Sequence, residues 1–223
     1  MAVQLDLWLW PIDLDAVWLA RLSAHLSPDE RARAERFVFV RDRDRFIAAR
    51  GKMREILARR CGMAPADLAF EYNAHGKPAI PDGPAFNLSH TGGWAALVVS
   101  SGPVVGIDIE LLRPVETALS QHVFSAAEQQ ELAEYSGPDW TAAFYRGWTR
   151  KEAYLKACGS GLARALDSFD VSLGEESEAR ITRIDYPPDT PTDWTLKHLD
   201  LGADLMGAIA VQTSAQTHLV RHA

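Results

Sequence analysis

Two short acidic segments carry the residue types from which phosphoryl-group chemistry is built. The first is Gly106-Ile107-Asp108-Ile109-Glu110. The second runs from Trp148-Thr149-Arg150-Lys151-Glu152 through Lys156 to Cys158-Gly159-Ser160-Gly161-Leu162. Read as a strand, the first segment turns Val105, Ile107 and Ile109 to one side and Asp108 and Glu110 to the other, because side chains alternate along a strand. The two carboxylates then have Cα atoms about 6.6 Å apart, at roughly 3.3 Å per residue, so both can reach one divalent cation. Read as a helix, the second segment places Glu152 and Lys156 one turn apart on a shared face. Three carboxylates and an ammonium suit a hard cation and a phosphate ester better than they suit an apolar core. Each motif taken alone has a plainer reading: a half-buried strand with a polar solvent face, and a surface Glu–Lys ion pair.

A third group of polar residues lies between them in type. Gly76-Lys77-Pro78 reads as a turn, and Asn87-Leu88-Ser89-His90-Thr91-Gly92-Gly93 as a strand running into a hairpin. Ser89, His90 and Thr91 can donate to phosphate oxygens, and Lys77 adds positive charge. A single turn histidine is more often structural or solvated. No Walker loop, nucleophile elbow or paired-cysteine motif is present. If the chain is an enzyme, the attacking group must come from a substrate.

These segments need elements to hold them. An alternating strand is expected over Gln4 to Trp10 and another over Val104 to Glu110. Asp44 to Arg60 reads as a helix, with Phe46, Ala49, Met53 and Ile56/Leu57 as its apolar stripe and Gly62 at its end. Further strands are expected at Phe70 to Tyr72, Ala85 to Leu88 and Trp94 to Val99. Beyond them come a helix capped by Ser125, a helix over Ala142 to Cys158, and strands at Phe169 to Leu173, Trp194 to Leu199 and Leu205 to Gln212. A weak internal repeat links the two parts. Ser27 and Ser125, Arg50-Gly51 and Arg146-Gly147, and Cys61-Gly62 and Cys158-Gly159 recur at nearly constant offset. The reading is two similar α/β halves, residues 1–102 and 103–223, with a cleft between them.

Composition bounds the rest. The 223 residues are 47% hydrophobic and 24% charged, an ordinary soluble balance with enough chain for a proper core. No apolar run approaches the roughly 20 residues that span a membrane, so no membrane role is expected. Met1 to Trp18 lacks a basic start and carries Asp6, Asp13 and Asp15, so it does not read as a signal peptide. Cys61 and Cys158 have neither metal nor redox spacing, and a cytoplasmic setting is expected. The net charge of −7 hides an asymmetry: residues 31–60 hold 11 of the 23 Lys and Arg against four acids. That basic window is either a solvated face or a local polyanion site. A nucleic-acid binder would more usually be basic overall, so a small phosphorylated ligand fits better and no nucleic acid is expected.

Taken together, the motifs resemble the 4'-phosphopantetheinyl transferases of the Sfp type. The resemblance runs from Ser27 to about Leu173. It rests on Gly76-Lys77-Pro78, Phe86-Asn87-Leu88-Ser89-His90, Gly106 to Glu110, Phe124-Ser125 with Glu128, Trp148 to Leu162, and Leu166-Asp167-Ser168-Phe169. It implies an α+β fold of two pseudo-twofold-related halves with the active site in the cleft between them. It also implies transfer of phosphopantetheine from coenzyme A to a serine of an apo acyl or peptidyl carrier protein by a monomeric, Mg2+-dependent enzyme. Asp108, Glu110 and Glu152 would hold Mg2+; Glu152, with Glu128 as an alternative, would be the base; and Lys156 would stabilise the transferring or leaving phosphate. Arg45, Lys77, Ser89, His90, Lys151 and Arg33 would bind coenzyme A. One departure is Glu30, where the Sfp subgroup carries a lysine, and this takes Glu30 out of the site. Carriers are usually acidic, as is this protein, so docking must rest on local features; the segment Leu111 to Phe124 is one candidate. The competing readings are a noncatalytic coenzyme A or nucleotide-binding relative and a metal-dependent phosphodiesterase. The first would be expected to lack one of the carboxylates or the lysine, and the second would need a basic surface matched to nucleic acid.

Overall fold

The computed structural model describes residues 2–175, 179–202 and 204–222. In chain order the first part comprises β1 (Val3–Pro11), α1 (Ala16–Ser23), α2 (Pro28–Glu35), α3 (Val40–Cys61), β2 (Glu71–Tyr72), β3 (Pro78–Ala79), β4 (Ala85–Thr91) and β5 (Trp94–Ser100). The second comprises β6 (Val105–Leu111), α4 (Ser120–Val123), α5 (Ala126–Leu132), α6 (Gly137–Cys158), β7 (Phe169–Val171), β8 (Ile181–Ile184), β9 (Thr195–Asp200), β10 (Leu205–Val211) and β11 (Thr217–His222).

Two sheets, ordered β11-β1-β5-β4 and β6-β10-β9, lie between the two long helices. Alternation sets the layers. On β5, Ala95, Leu97 and Val99 pack with Met53 and Leu57 of α3, while Ala96 and Val98 join Leu5 and Leu7 against the second sheet. On β10, Ile209 and Val211 face the first sheet, and Ala208 and Ala210 join Ala153, Tyr154 and Ala157 of α6. Because both faces of these strands are covered, Trp94–Ser100 reads as a continuous apolar run rather than an alternating one. The order of layers is thus helix, sheet, sheet, helix.

The internal repeat has local physical content. Ser27 and Ser125 both open helices with reciprocal capping boxes, closed by Glu30 and Glu128. Both of those carboxylates then continue inward to a cation on the long helix. Glu30 takes the Arg54 guanidinium at 2.5 Å, and Glu128 takes Lys151 at 2.7 Å, all four side chains nearly or fully buried. Glu30 is therefore a structural residue, in keeping with its departure from the subgroup. Both long helices are 22 residues and stop at a left-handed glycine, Gly62 or Gly159, as the Cys-Gly pairs predict.

Several elements are absent from the sequence reading. Among them are α1, α4, β8 and β11, the last of which returns to the first sheet as the parallel neighbour of β1. The chain therefore crosses the expected 102/103 division a second time. Helices α3 and α6 also begin four to five residues earlier than read, α6 with Pro138 in its first turn. Among the described residues, no helix is long and apolar enough to cross a membrane.

Candidate active site

The site sits where the edge strands β4 and β6 of the two sheets meet beneath α6. An edge strand leaves a row of backbone N–H groups unpaired. Here β4 fills that row with side chains: Asn87 Oδ1, Ser89 Oγ and Thr91 Oγ1 accept from the amides of Ile107 (2.9 Å), Ile109 (3.3 Å) and Leu111 (3.4 Å). Period-two spacing puts all three on one face of β4. Their placement registers the two sheets against each other, and with them the acidic face of β6.

That acidic face is covered by protein at Asp108 and half-exposed at Glu110. Helix α6 lies so close to β6 that a Cβ on Gly106 would meet the Ala153 carbonyl oxygen at 2.2 Å, so only glycine fits there. Asp108 is 3% exposed. Its Oδ1 receives Lys156 Nζ at 2.6 Å and the Ser89 hydroxyl at 3.1 Å. Its Oδ2 is buried with no hydrogen-bond partner. Burial pushes the Asp108 pKa up to about 6 against the pull of Lys156, and the charges of Glu110 and Glu152 push the same way. Glu152 is also raised, by burial first and by Glu110, with Lys156 opposing. Glu110 is held by two neutral donors, the Thr91 hydroxyl at 2.9 Å on Oε2 and the Trp148 indole N–H at 3.4 Å on Oε1.

The donor set fits a hard divalent cation: three mutually repelling carboxylates, oxygen donors only, and a buried carboxylate oxygen left unpaired. Among the described residues, no three His, Cys, Asp or Glu side chains stand in ligating geometry. The Lys156 ammonium occupies a cation's place on Asp108 instead.

Beside these residues runs a cleft of about 320 Å³, lined in part by Lys77, Asn87, Glu152, Leu155, Lys156 and Gly159. His90 is exposed, yet its pKa is lowered, first by the protein around it and then by Lys156, with a smaller contribution from Arg45. Arg45 itself is clamped by Asp13 through two hydrogen bonds of 2.6 and 2.8 Å beside the Gly93 turn. Ser89 faces Asp108 and Lys156 rather than open space.

Three expected ligand contacts have other partners. Lys151 is 0% exposed, and its Nζ serves Glu128 and the carbonyls of Leu166 and Phe169, so it lies in the core behind the helix. Glu128, the alternative base, is engaged there too, accepting from the amides of Ser125 and Val171 as well as from Lys151. Arg33 is exposed and lies over the Phe46 ring at 5.2 Å. Lys77 reaches the cleft, but its Nζ donates to the carbonyls of Val105 (3.0 Å) and Ala157 (2.8 Å), and burial brings its pKa down to about 8. Asn73 adds a bond from Nδ2 to the Gly159 carbonyl at 2.7 Å. The loop of the first half thus caps the C-terminus of α6, the end that carries Glu152 and Lys156. The sequence reading assigned no role to Asn73, Asn87 or Trp148. The same-face spacing of Asn87, Ser89 and Thr91 was the available signal.

The sequence comparisons give the class of this protein. A profile of the 4'-phosphopantetheinyl transferase superfamily matches residues 104–213, and one of the 4'-phosphopantetheinyl transferase N-terminal region matches residues 13–102. The chain belongs to the 4'-phosphopantetheinyl transferase family. The 4'-phosphopantetheinyl transferase HetI of Nostoc sp. is 36% identical over 93% of this chain and 87% of its own length. The 4'-phosphopantetheinyl transferase Sfp of Bacillus subtilis is 33% identical over 72% of each. Among solved structures, the holo-[acyl-carrier-protein] synthase of Thermotoga maritima matches with a TM-score of 0.39 and 16% identity, covering 50% of this chain and 64% of that one.

Proposed function

We propose that this transferase moves the 4'-phosphopantetheine group from coenzyme A to a serine hydroxyl of an apo acyl or peptidyl carrier protein. The observation that carries this reading is the buried, unpaired oxygen of Asp108, grouped with Glu110 and with the Glu152 and Lys156 that line the cleft. Asp108, Glu110 and Glu152 would hold Mg2+, which when bound neutralises the pyrophosphate and the charge that develops on the leaving phosphate. The serine oxygen forms a bond to the phosphorus that bears the pantetheine. The bond from that phosphorus to the bridging oxygen breaks, and adenosine 3',5'-bisphosphate leaves. Glu152 takes the serine proton, and its raised pKa makes it the stronger base. Lys156, 30% exposed, is free to turn from Asp108 to a phosphate oxygen, where its charge counts most in a partly desolvated cleft.

Residues 1–102 would supply the nucleotide side, with His90 and Arg45 toward the 3'-phosphate, and residues 103–223 the metal side. A single chain contributes both sheets and both long helices, so the active unit is taken as a monomer. The free Cys61 and Cys158 accord with a cytoplasmic setting. A noncatalytic relative is the less favoured reading, since Asp108, Glu110, Glu152 and Lys156 are all retained. The test is intact mass spectrometry of apo carrier proteins incubated with this protein, coenzyme A and Mg2+. The expected result is one phosphopantetheine per carrier, lost on chelation. Coenzyme A binding with no gain on any carrier would favour the noncatalytic reading.

A further inference from the structure

The connection from α2 to α3 breaks two local rules at once. Phe37-Val38-Phe39-Val40 is a run of four apolar residues, and it is at the surface: Val38 is 88% exposed, Phe39 66% and Val40 62%. Phe39 also occupies the N-cap of α3, where its side chain makes no capping bond. Helices α1, α2 and α5 of the same chain place Asp15, Ser27 and Ser125 at that position. A polar cap there is worth about 1 kcal/mol. An exposed phenyl in its place loses that capping energy and leaves apolar surface in water, so its gain must lie outside the folded monomer.

The rim of this ridge is basic. Residues 31–45 hold six arginines against three carboxylates in a protein whose net charge is −7. Arg36, Arg41 and Arg43 are exposed around the apolar residues, with Arg41 and Arg43 each shared with an adjacent aspartate. The ridge is also fixed in relation to the cleft. Phe37 packs on Phe46 at 5.4 Å, Phe46 follows Arg45, and Arg45 is clamped by Asp13 beside the Gly93 turn that follows β4. An object seated on the ridge therefore lies beside the nucleotide end of the site.

We propose that Phe37 to Val40, ringed by Arg36, Arg41 and Arg43, is a docking ridge for the acidic, partly apolar face of the carrier protein. This rests on the transfer reading above. Apolar contact supplies the affinity, and the arginines steer an acidic partner that the protein as a whole would repel. An anionic membrane is the poorer fit, because an extended negative plane would also confront the acidic remainder of the chain. A small acidic domain can meet the ridge alone.

The test measures transfer and direct binding of an acidic apo acyl carrier protein to the full chain, its Val38→Asp/Phe39→Asp variant and a Leu119→Asp variant. The expected result is a KM and a Kd for the carrier raised about tenfold or more in the Val38/Phe39 variant, with an unchanged KM for coenzyme A and kcat retained at saturating carrier. Unchanged carrier KM and Kd, while transfer proceeds, would overturn the ridge and leave the transfer reading standing. So would a carrier defect confined to Leu119→Asp. If the same substitutions instead abolish binding to vesicles containing phosphatidylserine, or convert a dimer to a monomer, with carrier kinetics unmoved, the occupant is a membrane or a second copy. No transfer and no carrier binding by the unaltered protein would overturn both readings.

Discussion

At the scale of single residues, the site is a set of charges kept unsatisfied on purpose. Asp108 is buried, raised in pKa and only half bonded, while the equally buried Glu128 has every oxygen engaged. That contrast, rather than burial, is what marks Asp108 as the carboxylate proposed to act and Glu128 as a structural one. Glu152 lies between these cases, raised in pKa but half-buried, as a base near a substrate should be. Glu152→Gln keeps the shape and removes the base. It is expected to lower kcat by roughly 10²–10⁴-fold and to weaken coenzyme A binding far less, since the amide oxygen can still face the cation, measured by turnover and by calorimetric titration. A parallel fall in binding would reduce Glu152 to a positioning residue. The alternation that pairs Asp108 with Glu110, and the one-turn spacing of Glu152 and Lys156, were legible in the sequence. The place of Lys151 was not: it lies one turn before Leu155, which lines the cleft, and only its tertiary contacts with Glu128 and the Leu166 and Phe169 carbonyls draw it into the core.

At the scale of elements, α6 carries Glu152, the proposed base, and Lys156, and its position is set at three points. Gly106 admits it onto β6, the Asn87–Ser89–Thr91 ladder fixes β6, and the 73–77 loop caps its C-terminus. Two of the N–H donors of Lys77 serve the Val105 and Ala157 carbonyls, and burial lowers its pKa to about 8. Lys77→Met keeps the apolar stem and strands both carbonyls, at a cost of about 1–3 kcal/mol each if they stay dry. Thermal unfolding should shift down, and kcat should fall with little change in KM for coenzyme A. A rise in that KM alone would return Lys77 to the nucleotide. The long helices, their glycine stops and both capping boxes are local features, and the sequence displays them. Helix α1 and β11 are not local in that sense. The Thr217–His222 strand is specified by pairing with β1 some two hundred residues earlier, which no window of sequence reveals.

At the scale of the molecule, the return of β11 ties the C-terminus to the first strand. His222 stacks on Trp8 at 4.4 Å and lies 2.6 Å from Asp6, whose other oxygen takes Arg60 at 2.8 Å. Burial alone would raise the Asp6 pKa, but His222, Gln4 and Arg60 outweigh it and hold it below the usual carboxylate range. A depressed folded-state pKa gives stability that is present above the unfolded value of 3.8 and lost as pH falls through the folded one. The difference in thermal stability between the natural chain and Asp6→Asn should therefore be full near neutrality and shrink below pH 3.8. A constant difference across that range would exclude the linkage. The same two-sheet frame sets β6 and α6 around one cleft, and the central claim is that they hold a cation against the coenzyme A pyrophosphate there. The most direct measurement is calorimetric titration of coenzyme A into the natural chain and Asp108→Asn, each with and without Mg2+. Affinity in the natural chain is expected to depend strongly on Mg2+ and in Asp108→Asn to lose that dependence, with transfer lost as well. An Asp108→Asn protein that keeps both the Mg2+ dependence and the turnover would contradict the account.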